Sequence, residues 1–365
     1  MNAADFEAAG LYDPKAPNAA ERLELLEWLA ARGTTLEQMV RAARERSLSG
    51  LAGDLALRPG ARYTLTQVAE RAGISPERVR ELSLAVGLPP PSPDDPVFTD
   101  DDVLLFGGFA ERAALFGEAP VLRFIRTVGS SLAGIAEAAV SLFLVNVEGP
   151  MLQQGMRERA LAEANLDAIE ALSSVEVMLR GVFRTHMEAA IDRFRVARLG
   201  QSVDTRYMTI GFIDLVAFTA LSRRMSAREL ADVVARFEEA AHDVVTARGG
   251  RVVKLIGDEV MFVALDAATA CDMALTLFER FAGDPSVTPR GALATGELVV
   301  RGGDYYGPVV NLAARVADLA VPNELLVTPE VAAWAAGSGL RFEPAGRRML
   351  KGFDEPVALL TVERA

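Results

Sequence analysis

The sequence predicts an α+β chain, with an all-helical N-terminal half followed by a domain of mixed sheet packed against helices. Three observations carry this. From Ala19 to Arg198 apolar residues recur at helical spacing without strand-like alternation. From Tyr207 onward short β-branched runs alternate with helical stretches, and Gly200–Thr205 reads as a linker between the halves. The length of 365 residues suits two or three domains, and a hydrophobic content of 50% is enough for full cores. The expected divisions are a helical domain over 1–160, a long helix and linker over 161–206, and a mixed domain over 207–365.

In the first half, Ala19–Arg32 and Thr35–Arg46 read as amphipathic helices broken at Gly33, and Asp54–Thr64 as a breaker-rich link. Tyr63–Val103 has helix-turn-helix grammar. Thr64 or Thr66 caps one helix, Gly73 turns the chain, and Ser75-Pro76-Glu77 starts a second. With its Gly87-Leu88-Pro89 turn and Phe98–Asp102 helix start, this stretch resembles the N-terminal module of MerR-type regulators. A reader of DNA needs cations at the start of its recognition helix. Here Glu77 and Glu81 alternate with Arg78 and Arg80, and Asp94, Asp95 and Asp100–Asp102 follow. With a net charge of −12 as well, the segment is expected to be a packing module, and nucleic acid is not expected as a partner.

Leu104–Leu115, Val121–Arg126, Ser131–Val147 and Met151–Arg198 continue the helical pattern. Phe109, Phe116, Phe124 and Phe143 are expected in the core, as are Met151, Met156, Met178 and Met187. Leu132–Val147 is the most apolar stretch, but Glu137 and Asn146 interrupt it, so a buried helix is expected in preference to a membrane span. The apolar helical layer also suits a lipid pocket. The N-terminus lacks signal-peptide grammar, and Cys271 is the single cysteine, so a cytoplasmic location is expected, with loose membrane association as the variant. Leu161–Arg198 has no Pro and only Gly181, which predicts one long helix or two nearly continuous ones. Its charged later part carries His186, a candidate regulatory residue because an imidazole titrates at about 6.5.

In the second half, Tyr207–Leu215 is a strand delivering Asp214 to its end, and Phe218, Thr219 and Leu221 begin a short helix. Ser226–Arg248 is a helix with a Ser226/Glu229 capping box. Arg251–Val263 is a hairpin turning at Gly257-Asp258-Glu259. Then come a helix over Asp266–Ala282, a strand over Pro289–Val300, a Gly302-Gly303 turn and a helix over Val309–Leu319. A strand over Glu324–Thr328, a helix from Pro329 to Ala336, and strands over Phe342–Leu350 and Val357–Val362 complete the order.

The chemistry-bearing residues converge on one set. Asp214 and Asp258, at the ends of adjacent elements, could hold one or two divalent ions, and their oxygen ligands suit Mg2+ or Mn2+. Arg315 and Lys351 offer cations for phosphoryl groups, Lys254 and Asp304 a donor and an acceptor for a base edge, and Asn311 hydrogen bonds for a sugar. Asn311 and Arg315, four apart, share a helix face. Glu259 reads as a hairpin neighbour with a structural role.

These segments resemble the class III adenylyl and guanylyl cyclases. FIDLVAFTALS (Phe212–Ser222) is similar to their first metal motif, KLIGDEVMF (Lys254–Phe262) to their second, GDYYGPVVNLAARV (Gly303–Val316) to their Asn/Arg helix, and LKGFDEPV (Leu350–Val357) to their phosphate-lysine loop. Ala217 departs from the usual glycine of the first motif. The resemblance implies a ferredoxin-like mixed sheet and conversion of ATP to 3′,5′-cyclic AMP. Asp214 and Asp258 would bind two metal ions, Lys254 and Asp304 recognise adenine, Asn311 position the ribose, Arg315 stabilise the transition state and Lys351 grip the β- and γ-phosphates. It also implies a head-to-tail homodimer with two shared sites. The helical half resembles that of the autoinhibited, pH-sensing mycobacterial adenylyl cyclases, which are linked to fatty acids or lipids. That likeness carries over a regulatory role and leaves the signal open. The alternatives are a guanylate cyclase, a catalytically silent nucleotide or lipid sensor, and a DNA-binding regulator.

Overall fold

The computed structural model describes residues 1–45, 47–197, 205–216, 225–284 and 287–365. The helix expected over Phe218–Leu221 and the substitution at Ala217 lie outside them. The chain divides into two compact units, Met1–Glu188 and Ala189–Ala365.

The first unit is helical. Helices α1 (Ala3–Ala8), α2 (Ala19–Ala31), α3 (Leu36–Arg44) and α4 (Leu51–Leu57) surround a core of Phe6, Leu25, Leu26, Leu29 and Met39, which Ala162 joins. Helix α4 replaces the first part of the link expected from Asp54, because Leu51, Ala52 and Leu55 have this core to pack on. Helices α5 (Leu65–Ala72) and α6 (Pro76–Val86) form the helix-turn-helix. Thr64 caps α5 with Gln67 in a capping box, Gly73 takes φ 67° at its end, and Ser75 caps α6. Helix α7 (Asp100–Gly107) starts with a Thr99/Asp102 box, α8 (Phe109–Phe116) follows, and a second core gathers Leu65, Val68, Val79, Leu82, Phe98, Phe106 and Phe109. Arg78 is spent on Glu81 and on Glu118, so the helix-turn-helix turns that cation inward to its own unit.

Helix α9 (Glu118–Phe143) joins two segments expected to be separate and runs through a π-helical turn, Leu144–Glu148, into α10 (Gly149–Gln153). It crosses α6 closely: a Cβ on Gly129 would lie 2.4 Å from the Val86 carbonyl oxygen. The expectation that Leu132–Val147 is buried fails. Leu132, Ile135, Val140, Leu142, Leu144 and Val145 are exposed, since this unit's two cores are already closed by other residues. Glu118–Gln153 is long and apolar enough to cross a membrane, by length and composition. Phe109 is buried as expected, but Phe116, Phe124, Met156, Met178 and Met187 are exposed, and Phe143 and Met151 are half-buried. Helix α11 (Glu158–Ala197) is one unbroken helix of 40 residues, and His186 is exposed on it.

In the second unit the described residues form one sheet, in the order β2-β3-β1-β4-β6-β8-β7, with β5 paired to β4. The strands are β1 (Thr205–Leu215), β2 (Arg251–Ile256), β3 (Glu259–Ala264), β4 (Pro289–Arg301), β5 (Asp304–Tyr306), β6 (Leu325–Val327), β7 (Leu340–Arg348) and β8 (Val357–Arg364). Pairing is antiparallel except for β4 with β6. Residues Met208–Ile213 of β1 are all buried because helices cover both faces. Ile213, Val260, Phe262 and Leu293 pack against α12 (Ala227–Ala247), α13 (Ala267–Arg280) and α15 (Pro329–Trp334). Met208, Ile210, Phe212, Met261 and Ala292 pack against α14 (Pro308–Ala317) through Ala313, Val316 and Ala317. The alternation follows from the two-residue period of a strand. Cys271 is buried in α13, and burial with the neighbouring Asp266 and Asp272 charges pushes its thiol up to about 12.

Candidate active site

The end of β1 and the tip of the β2–β3 hairpin meet at an acidic pole. Asp214 is the cross-strand partner of Glu259 on one side and of Arg290 on the other. Gly257 takes φ 67° at the first position of the two-residue turn between Ile256 and Glu259, and that turn presents Asp258. Arg290 clamps Asp214 with a fork: its Nε donates to one carboxylate oxygen at 2.8 Å and its Nη2 to the other at 2.9 Å. Its Nη1 donates to the backbone carbonyls of Asp318 and Ala320 at 3.2 and 3.1 Å.

The electrostatics follow from this crowding. Burial lifts the Asp258 carboxyl above its ordinary value. Asp214 adds to the lift, while the backbone hydrogen bond at Asp258 and Arg290 oppose it. Burial, reinforced by Asp214, Asp318 and Asp258 and opposed by Arg290, pushes Glu259 up to about 7. The Arg290 guanidinium is held above its usual value by its bonds to Asp214. Glu259 flanks the hairpin turn, as its place in the sequence predicts, and also stands across from Asp214 in the strand register. Arg290 went unnoticed in the sequence because nothing in the primary pattern sets it opposite Asp214; only the strand register does.

A second pair forms separately. Lys254 Nζ donates to Asp304 at 2.6 Å. A register irregularity between Val252 and Lys254 re-aims the strand just before this lysine. Gly302 and Gly303, with φ 60° and 80°, make the tight turn that brings Asp304 back antiparallel to Arg301. Arg251 fastens that turn by donating to the Gly303 carbonyl at 2.7 Å. Burial would raise the Asp304 carboxyl, but Lys254, the Tyr305 amide and Tyr306 outweigh it and hold the group below its ordinary value. Asp304 and Asp214 lie beside opposite ends of β4.

Asn311 and Arg315 are exposed on one face of α14, and Arg315 approaches Asp318 at 3.4 Å. Lys351 is exposed in the turn between β7 and β8. Thus Asp214 and Asp258 come together, Lys254 and Asp304 come together, and no contact joins the two groups among the described residues. Nor do three acidic, His or Cys side chains converge there into a ready metal cage.

Residues 4–190 match the family model described as the adenylate cyclase regulatory domain, and residues 201–361 match the adenylate and guanylate cyclase catalytic domain. The chain is 35% identical over 269 residues to a Streptomyces coelicolor protein named adenylate cyclase, covering 73% of this chain and 70% of that one. It is 33% identical over 358 residues to an uncharacterized Mycobacterium tuberculosis protein, covering 96% and 92%. A Mycobacterium tuberculosis protein named pH-sensitive adenylate cyclase is 30% identical over 365 residues, covering 94% and 88%.

Proposed function

The chain belongs to the class III adenylate cyclase family, and from that premise we propose that it converts ATP to 3′,5′-cyclic AMP and pyrophosphate at two sites shared across a homodimer. The observation that carries the shared site is the separation within one chain. The acidic pole lies beside one end of β4 and the Lys254–Asp304 pair beside the other. A second copy related by a two-fold axis supplies each pole with the missing half.

The acidic pole fits divalent metal. Its donors are hard carboxylate oxygens, and Asp214 stands across from Glu259 in the strand register beside the turn that presents Asp258. Asp214 and Asp258 would hold the ions, with substrate phosphates completing the coordination in place of a third side chain. When bound, such ions neutralise the triphosphate and favour proton loss from the ribose 3′-hydroxyl that attacks the α-phosphorus in line.

The chain's own residues bind and orient. Asp304, held ionised by Lys254, accepts from the adenine amino group, and Lys254 donates to N1. The pair opens to take the base and satisfies both partners again. Asn311 orients the ribose. Among the described residues Arg315 has a long, exposed contact to Asp318 to give up, so its guanidinium can turn to charge building on the α-phosphate. Lys351 holds the β- and γ-phosphates. The Lys254/Asp304 identities favour adenine over guanine.

The test is direct: purified dimer with Mg-ATP or Mn-ATP should release cyclic AMP, faster than cyclic GMP from GTP. A dimeric chain that makes no cyclic AMP at any pH overturns the reading. We also assign residues 1–160 a regulatory role, with pH acting through the charged segment that bears His186. Supporting this are the regulatory-domain match and the similarity to a pH-sensitive relative. The full chain and a fragment starting near Ser202 should differ in rate or pH profile between pH 5.5 and 8. Parallel profiles of equal height discard the regulation.

A further inference from the structure

Two cations of β2 reach the same hairpin, and the proposed reaction uses only one of them. Arg251 and Lys254 are three residues apart, a spacing that puts side chains on opposite faces of a regular strand. The irregularity between Val252 and Lys254 inserts one extra residue, so Arg251 pairs with Val263 and Lys254 with Met261. Val263 and Met261 both belong to the core packed against α14, so the bulge returns the two cations to one face of the sheet. There Arg251 takes hold of both neighbours of Asp304. Its Nη2 donates to the Gly303 carbonyl at 2.7 Å, and its guanidinium carbon lies 5.8 Å from the centre of the Tyr305 ring. The Tyr305 amide donates in turn to one Asp304 oxygen at 2.8 Å, and Lys254 donates to the other at 2.6 Å.

We propose that Arg251 is a positioning residue for base selection, holding the β4–β5 turn so that Asp304 keeps its aim at the adenine amino group once Lys254 has let go. The proposal rests on reading Lys254 and Asp304 as the residues that recognise adenine. Between substrates the Lys254–Asp304 bond itself fixes the carboxylate. Base entry breaks that bond, and Asp304 is then fixed by the turn it closes. Gly302 and Gly303 take φ of 60° and 80°, a conformation glycine adopts freely, and neither brings a side chain to stiffen the turn. Arg251 supplies the hold from β2. It acts on neither base nor phosphate, only on the carbonyl before Asp304 and the ring after it. Aim decides selectivity here. A carboxylate accepts from the 6-amino group of adenine, whereas guanine presents an oxygen at that position and is repelled. A turn that wanders weakens the attraction and relieves the repulsion.

The experiment measures kcat and KM of the full chain for Mg-ATP and for Mg-GTP, following cyclic AMP and cyclic GMP. Arg251→Met keeps the length of the side chain and loses every donor. It should lower the ratio of kcat/KM for ATP over GTP about tenfold, which is what one charge-assisted hydrogen bond is worth, with KM for ATP rising and kcat falling less. Arg251→Lys should recover part of the ratio, because its ammonium still reaches the carbonyl but cannot lie flat over the ring. A merely structural arginine would depress both nucleotides alike and leave the ratio standing, and that result overturns the proposal. A ratio in Arg251→Lys no higher than in Arg251→Met overturns it too. Arg251→Gln is too short to hold carbonyl and ring together and should match Arg251→Met. An unchanged ratio there decides against the proposal should the Met variant not fold. The failures separate. A chain that prefers ATP and keeps that preference in all the variants removes only the role of Arg251. An unmodified chain that makes no cyclic nucleotide, or that prefers GTP, removes the adenine reading and the role of Arg251 with it.

Discussion

Asp214 is balanced by one cation, so the consequences of changing it can be separated. Asp214→Asn should leave Arg290 with a weakened acceptor and cost about 1–3 kcal/mol of stability, read by urea denaturation. Asp258→Asn has no such fork to break. Losses of up to about 100-fold in metal affinity are known when mere supports of a metal site are removed, so removing a ligand should cut cyclic AMP formation by at least that factor at limiting Mn2+. Cys271 makes a different prediction. With its thiol raised to about 12 and fully enclosed, Ellman's reagent at pH 8 should not label the native chain and should label it on denaturation. The positions of Asp214, Asp258, Asn311 and Arg315 at strand ends, turn tip and helix face were legible, because each follows from local periodicity. Glu259 and Arg290 were not, because their meaning comes from which strand lies beside which.

Among the elements, β1 has the least room to change. A Cβ on Gly211 would lie 2.4 Å from the Phe262 ring and 2.7 Å from Leu293, so Gly211→Ala should destabilise by about 1–3 kcal/mol in urea unfolding. Across the β1–β4 pairing the buried hydroxyls of Thr209 and Thr295 bond each other at 2.7 Å. Thr295→Val strands one hydroxyl and should cost about 1–3 kcal/mol, while the double change to valine should recover much of that loss. Elsewhere in this unit, Arg248 of the α12 end and Arg364 of β8 both grip Asp272 of α13. Burial works against ionisation there, but the two guanidiniums win and hold Asp272 below its ordinary value. A depressed carboxylate stabilises above its unfolded value of 3.8, and that contribution is lost as pH falls through the lower folded value. Asp272→Asn should therefore be less stable than the original at neutral pH and converge with it in strong acid. The gain at neutral pH is modest because the groups are partly exposed. Helix boundaries in this half were readable from caps such as Ser226 and Asp266. The burial of α9 was not, because an apolar sequence states what a helix avoids, not whether its own chain covers it.

For the molecule as a whole, reciprocity gives the sharpest forecast. Asp214→Asn and Arg315→Ala disable opposite halves of each site. Neither variant should turn over alone, yet co-expressed or exchanged they should restore about a quarter of the original rate, since random pairing makes half the dimers mixed and each mixed dimer keeps one whole site. No recovery in proven mixed dimers would place the whole set in one chain. The net charge of −12 adds that the helix-turn-helix should not retain duplex DNA at physiological salt, testable by gel shift. The succession of a helical half and a mixed half was legible from the change in periodicity before Tyr207, while the expected Gly200–Thr205 linker falls largely outside the described residues. Which surfaces meet a second copy is a property of two molecules, and one sequence carries it only through the incompleteness of its site.

The Asp214–Arg290 fork also has a history in time. It joins residues 76 apart in the chain, and β1 must wait for β3 to pair one of its edges and for β4 to pair the other. During synthesis β1 therefore emerges as a buried-type strand with no neighbour. Its apolar run and at least one open edge are exposed to other nascent chains until about 90 further residues have left the ribosome. Chains terminated between β1 and β4 should aggregate and not accumulate as soluble fragments, and slowing translation across 216–289 should lower the yield of folded enzyme.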